Sequence, residues 1–224
     1  MNDSYESKTK DAYRSVVKAQ SYDRQLRGFT WMRFAMWREK CAVRAALLLC
    51  GLTREARVLD LPCGTGFLAD LLAEQSYSVV GADISLEMIK VARPYYDTQR
   101  TLGFVNTDAL ALPFPPASFD CVIAIGFFHR LPPEIRERAL DNLGVLSRGR
   151  MIASFSLDSR ARRIKLGLIR LLRPKFASAP APVRLSDVKV ELRRAGWRIV
   201  RRWSVAPMLS SESVFLLERW TNGR

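Results

Sequence analysis

The segment LDLPCGTGF, residues 59–67, constrains the fold more than any other part of the chain. It brings together an apolar strand end, an acidic residue and two glycines one residue apart, directly before a helical pattern. Glycine reaches backbone angles that other residues avoid and lets a ligand approach the main chain. Open α/β sheets bind their ligands in such turns, at the carboxyl ends of their strands. The free amides that open the next helix would point at whatever sits there.

The surrounding pattern supplies the sheet. RVLDL (57–61) reads as a strand, GFLADLLAEQ (66–75) as a helix and SVVGAD (78–83) as a second strand. SLEMIKVARP follows as a helix, with Ser85 as N-cap and Pro94 as its stop. GFVNTD (103–108) and FDCVIAIG (119–126) are further strands, PPEIRERALDNLGVL (132–146) a helix and GRMIASFS (149–156) a fifth strand. Strands alternating with helices predict a parallel sheet with helices on both faces. WRIVRRWSV (197–205) and SVFLLERW (213–220) have no helix between them, which predicts an antiparallel hairpin on the sheet edge. The chain divides into a helical cap (1–50), a core (51–156), a basic insertion (157–184) and a C-terminal helix and hairpin (185–224), all one domain. Helices are expected over 9–20 and 31–50. The second carries Phe34, Met36, Trp37, Cys41, Ala45 and Leu48 as its apolar stripe.

Charge is uneven along the chain. The net +14 splits into +5 over residues 1–50, −2 over 51–150 and +11 over the last 74. Seven of the sixteen residues from Arg160 to Lys175 are basic, while Ile164, Leu168, Leu171 and Leu172 share one helical face. Such a helix could meet an anionic membrane surface or nucleic acid, or leave its charges in water. Cys41, Cys50, Cys63 and Cys121 have no CxxC spacing and there is one histidine, so no metal site is expected. No apolar run approaches the roughly 20 residues of a membrane span. The polar start lacks the apolar core of a secretory leader. A cytoplasmic protein is expected, with peripheral membrane contact through 160–175 as an option.

The glycine turn admits two readings. Gly64 to Ala69 satisfies G-x-G-x-x-A with Asp83 at a distance suited to a ribose, as in a dinucleotide site. Asp60, however, would repel a pyrophosphate, and suits a ligand with a cationic amino-acid end. VLDLPCGTG, VVGADISLEMIKVAR and NTDALALPFPPASFDCVIAIGFFHRL, taken in order, resemble the class I S-adenosylmethionine-dependent methyltransferases, especially the ubiquinone and menaquinone biosynthesis branch. The resemblance spans residues 57–156, weakens in the terminal hairpin and is absent from 157–184. It implies a Rossmann-like, mostly parallel seven-stranded sheet closed by that hairpin.

The resemblance also implies roles. Asp60 would orient the methionine amino group, surrounded by the backbone of Leu61, Pro62, Cys63, Gly64 and Gly66. Asp83 would accept from both ribose hydroxyls, which takes two oxygens. Ile84 and Met88 would pack on the adenosine, and Asp108 would take the adenine amino group with Ala109 and Leu110 beside the ring. Ile125 and Gly126 would lie beneath the sulfonium. Tyr22 would fold over the cofactor, or serve as a packing aromatic. Arg33 could meet the methionine carboxylate. Pro62 stands where relatives usually have glycine, fixing a torsion and removing an amide donor. Sole histidine His129 could act as general base near neutral pH or shape its loop. Phe127 and Phe128 could line the acceptor pocket, one of them belonging instead to the core. The function implied is in-line methyl transfer to a small-molecule or lipid-like acceptor. RNA or protein as acceptor, a non-catalytic scaffold and a nicotinamide enzyme are the alternatives.

Overall fold

The computed structural model describes residues 30–96, 100–158, 182–205 and 211–220. The helix expected over 9–20, Tyr22 and the basic stretch 160–175 lie outside them.

Seven strands form one sheet: β1 (Arg57–Asp60), β2 (Ser78–Asp83), β3 (Thr101–Asn106), β4 (Cys121–Ala124), β5 (Arg150–Ser156), β6 (Trp197–Ser204) and β7 (Glu212–Arg219). Their order is β3-β2-β1-β4-β5-β7-β6. β1 to β5 run parallel, whereas β7 is antiparallel to both β5 and β6. The expected hairpin is thus present, with β7 inserted beside β5 and β6 at the edge. β6 exposes Arg198, Arg201 and Arg202, charges that discourage pairing with another edge. The order reverses between β1 and β4, and that reversal opens the crevice in which such folds hold ligands.

Alternation along the central strands splits the apolar residues between two cores. Val58, Cys121, Ile123, Ile152, Val214 and Leu216 face one. Leu59, Val122, Ala124, Met151, Ala153 and Leu217 face the other. Helices α1 (Thr30–Cys50), α2 (Ala69–Glu74) and α3 (Leu86–Ala92) cover the first; α4 (Pro133–Leu146) and α5 (Leu185–Arg194) cover the second. Ser85 caps α3 as expected, its Oγ accepting from Met88 N at 3.2 Å. A 3-10 turn at Arg93–Tyr95 follows α3, so the helix does end at the proline.

Three expectations need correction. The buried face of α1 is Ala42, Val43, Ala46, Leu47 and Cys50, while Phe34, Trp37 and Leu48 are exposed. Small Ala42 and Ala46 let the helix settle close to the sheet, whereas the large aromatics suggested another face. Second, α2 begins at Ala69 and not at Gly66, because Gly66 has φ +86°, outside right-handed helical space. Third, β3 starts two residues earlier than expected, and β4 is four residues long with Phe119 joined to Ser147 by an isolated bridge.

Gly66 is fixed sterically as well. A Cβ there would lie 3.2 Å from Tyr95 Cβ and 3.4 Å from Ala92 Cα. Gly66→Ala combines the left-handed torsion with that contact, together about 2 kcal/mol. At this chain length the melting temperature should fall by about 4–8 °C, which scanning calorimetry will read.

Candidate functional site

The carboxyl ends of the first three strands each deliver an aspartate. Asp60 ends β1, Asp83 ends β2 and Asp108 lies two residues past β3. All three line one cavity of about 230 Å³ at the strand-order reversal. Leu61, Pro62, Cys63, Gly64, Ile84, Met88, Ala109, Leu110, Ile125, Gly126 and Phe127 line it too. Of the residues assigned to the cofactor from sequence, those placed in the wall therefore include every described one except Gly66 and Arg33.

Main-chain bonds shape the turn. Leu61 N donates to Ile123 O at 3.0 Å and Cys63 N to Ala82 O at 2.8 Å, tying the loop to both neighbouring strands. The Leu61–Pro62 peptide is cis. Gly64, at φ +52°, donates its N–H to Asp83 Oδ2 at 2.9 Å, and Ser85 N donates to Asp83 Oδ1 at 2.9 Å. Asp83 thus holds the glycine turn with one oxygen and the start of α3 with the other. Each oxygen keeps a second lone pair for a ligand hydroxyl. Burial raises its pKa, opposed by these amide donors. Asp60, 2% exposed, accepts from the Tyr96 hydroxyl; burial pushes its pKa up to about 7, against the lowering effect of Tyr96. The Cys63 thiol is raised well above its usual value by burial and by Asp83 and Asp60, so it stays protonated. Asp108 Oδ1 accepts from Leu110 N at 3.0 Å, which curls the segment after β3 around the wall.

The region past β4 separates three neighbours. Gly126 N donates to Ser154 Oγ at 2.8 Å and Arg130 Nε to Gly126 O at 2.9 Å, so Arg130 and Phe127 face the cavity. Phe128 does not: it is fully buried and stacks on Phe155 with centroids 5.1 Å apart, so its expected pocket role is corrected to core. His129 is absent from the wall, its Nδ1 lying 3.9 Å from Glu212 Oε1. The loop rests on Arg136, which reaches Leu131 O at 3.0 Å and pairs with Glu191 at 2.6 Å.

Sequence reasoning missed Tyr96 and the far wall. Arg38 Nε donates to Val205 O at 3.1 Å, and Lys40 and Arg44 pair with Asp70 and Glu74 at 2.6 Å. These ties fix the roll of α1, which brings Met36 and Glu39 into the cavity wall. Burial, then repulsion from Glu212, raises the Glu39 carboxyl to about 8. No local motif announces either residue, since both act through contacts with distant chain. Arg33, on the same helix, is exposed. Among the described residues, no three His, Cys, Asp or Glu side chains converge as a metal-binding group, and no helix is long and apolar enough to cross a membrane.

Residues 58–148 match a protein family described as a methyltransferase domain. A demethylmenaquinone methyltransferase of Thermus thermophilus is 47% identical over 75 residues, covering 32% of this chain and 34% of that protein. An O-methyltransferase of Aspergillus nomiae is 30% identical over 152 residues, 66% of each chain. The chain spans half or less of several demethylmenaquinone methyltransferases that it matches, 34% of the Thermus protein and 42% of one from Tropheryma whipplei. Among solved structures, magnesium protoporphyrin IX methyltransferase from Synechocystis, with bound SAH, superposes with a TM-score of 0.77 at 20% identity. That alignment covers 96% of this chain and all of that one.

Proposed function

We propose that this chain, which has the class I methyltransferase fold and is related to that methyltransferase-domain family, transfers the methyl group of S-adenosylmethionine to a small, lipid-like acceptor. One observation carries the reading: three aspartates at successive strand ends share one cavity with the glycine turn. An acidic wall suits a cationic ligand and repels a pyrophosphate, which sets the nicotinamide alternative aside.

The residues present fit this cofactor. Asp83 has lone pairs left for ribose hydroxyls, Ile84, Met88 and Leu110 offer apolar walls to a purine, and Asp60 is placed for an ammonium. When bound, the sulfonium supplies an activated methyl group. The chain's own work is to orient both partners and exclude water; orientation can contribute about 7–11 kcal/mol of a barrier. Phe127, Leu131 and Ile135 give the remaining wall an apolar character that fits a lipid-like acceptor. The acceptor named in the bacterial relatives, demethylmenaquinone, is of that class. Tyr22 over the cofactor remains part of the proposal, and His129, outside the cavity wall, keeps the loop-shaping role.

Incubation with methyl-labelled S-adenosylmethionine against separated lipid, small-molecule, RNA and protein fractions tests the reading. Label is expected in the lipid or small-molecule fraction; label confined to RNA or protein would transfer the proposal to a macromolecular acceptor. Phe127→Ala should leave cofactor affinity within about two-fold and raise the acceptor KM about ten-fold, as the loss of ~1.4 kcal/mol of apolar contact implies. Steady-state kinetics with whichever acceptor takes up label will check it.

A further inference from the structure

Pro94 ends α3 in a 3-10 turn, Arg93–Tyr95, and the chain leaving that turn brings consecutive tyrosines to the glycine turn. Neither of them lines the cavity. Tyr95 lies against Gly66, where a Cβ would be 3.2 Å from its side chain. Tyr96, 2% exposed, donates its hydroxyl to Asp60 Oδ2. The ring that carries this hydroxyl is held on several sides. Tyr96 N donates to Arg93 O at 3.1 Å, and Thr101 Oγ1 donates to Tyr96 O. Phe104 on β3 stands edge-on to Tyr96 with centroids 5.5 Å apart, and the Arg93 guanidinium covers Phe104 at 5.7 Å. Phe104 finds that place because residue 81 on β2 is glycine: a Cβ there would lie 2.8 Å from the ring. Among the described residues no other donor reaches the Asp60 carboxyl, so Oδ1 is left for the cavity that Asp60 lines.

We propose that Tyr96 is the positioning residue for the amino-acid end of the cofactor: it holds Asp60 by Oδ2 so that Oδ1 meets the ammonium group. This rests on the methyltransferase reading above. A hydroxyl donor favours the ionised carboxylate, which is the form that pairs with a cation. Tyr96 keeps its own proton, since burial and then Asp60 raise it well above its ordinary value. Asp60 needs the support: burial pushes its carboxyl up to about 7, Tyr96 lowers it and Asp83 on β2 raises it. Cys63 in the turn stays a neutral thiol, and Asp70 on α2 acts on Tyr96. Glu39, Asp108 and Arg130 line the cavity beyond. None of these groups donates to Asp60, so among the described residues the offset to burial comes from the tyrosine hydroxyl.

The test measures calorimetric affinity for S-adenosylmethionine and for 5′-methylthioadenosine, which shares the adenosine and its sulfur but lacks the amino-acid end. Tyr96→Phe keeps the ring against Phe104 and removes only the hydroxyl. Near pH 6.5 it should weaken S-adenosylmethionine about ten-fold and leave 5′-methylthioadenosine within about two-fold. The gap should narrow toward alkaline pH, where Asp60 ionises without help. In Asp60→Asn, which has no ionisation to support, adding Tyr96→Phe should cost nothing further. The wild-type preference for S-adenosylmethionine over 5′-methylthioadenosine should rise as pH passes through about 7, and Asp60→Asn should lack that rise. Unchanged affinity for S-adenosylmethionine in Tyr96→Phe, equal weakening of both ligands, or a further loss in the Asp60→Asn background would each overturn the role of Tyr96. Should Tyr96→Phe fail to fold, the wild-type profile decides: a preference independent of pH would overturn the proposal. Failure of wild type to bind S-adenosylmethionine would instead refute the methyltransferase reading itself.

Discussion

Asp83→Ala is expected to abolish measurable S-adenosylmethionine binding and to lower the melting temperature of the ligand-free chain. The carboxylate has two duties. Its oxygens hold Gly64 N and Ser85 N at 2.9 Å, so the glycine turn and the start of α3 share one buried anchor. Hydrogen bonds to a charged group contribute roughly 1.5–3 kcal/mol each, and removal leaves two amides without their acceptor. A loss of about 3 kcal/mol corresponds to a fall of about 6–12 °C for a chain of this size. Losing the ribose contacts as well should weaken cofactor affinity by about 10³-fold or more. Asp83→Asn should lie between, because an amide offers one acceptor oxygen and turns a donor toward an N–H. Scanning and titration calorimetry on the same preparations separate the two effects.

Stability should decline as pH rises from about 5 to 9, the reverse of the usual behaviour of paired carboxylates. Asp60 is raised to about 7 and Glu39 to about 8, from ordinary values of 3.8 and 4.5. Between each pair of values the folded chain binds more protons than the unfolded one, so the unfolding free energy has a negative slope with pH. The contribution is complete below about pH 4 and is lost as pH rises through the folded values. At roughly 1.4 kcal/mol per unit, the two groups together amount to several kcal/mol. Melting temperatures at pH 5.5 and 8.5 will show the drop. Glu39→Gln should remove part of it and make the variant more stable than wild type at the alkaline end. A flat or rising profile would mean that these carboxyls are not held above their ordinary values. Binding of a sulfonium ligand should reduce the decline, since a cation favours the ionised forms.

What was legible in the sequence was what is encoded locally. Glycines and prolines punctuate the strands, Ser85 marks a helix start, and Asp60, Asp83 and Asp108 each sit at a strand end that the alternation locates. Their convergence in one wall follows from the parallel order, which the strand–helix rhythm already implied. The far wall was not legible. The roll of α1 depends on Arg38, Lys40 and Arg44 finding partners on other elements, so the aromatic stripe at Phe34 and Trp37 misled. Tyr96 reaches Asp60 from 36 positions away, and Glu39 faces a cavity built chiefly by later chain. Phe127 and Phe128 are adjacent and chemically identical. Only the turn after β4, with Gly126 at φ +69°, decides that one meets the cavity and the other the core. His129 is separated from Arg130 by the same turn.

The most direct test of the central claim is a titration of the chain with S-adenosylmethionine, repeated with Asp83→Ala and with a nicotinamide dinucleotide as competitor. Saturable one-to-one binding by the wild type, lost in the variant and indifferent to the dinucleotide, is the result that the cavity predicts. Absence of binding, or binding that survives Asp83→Ala, would contradict it.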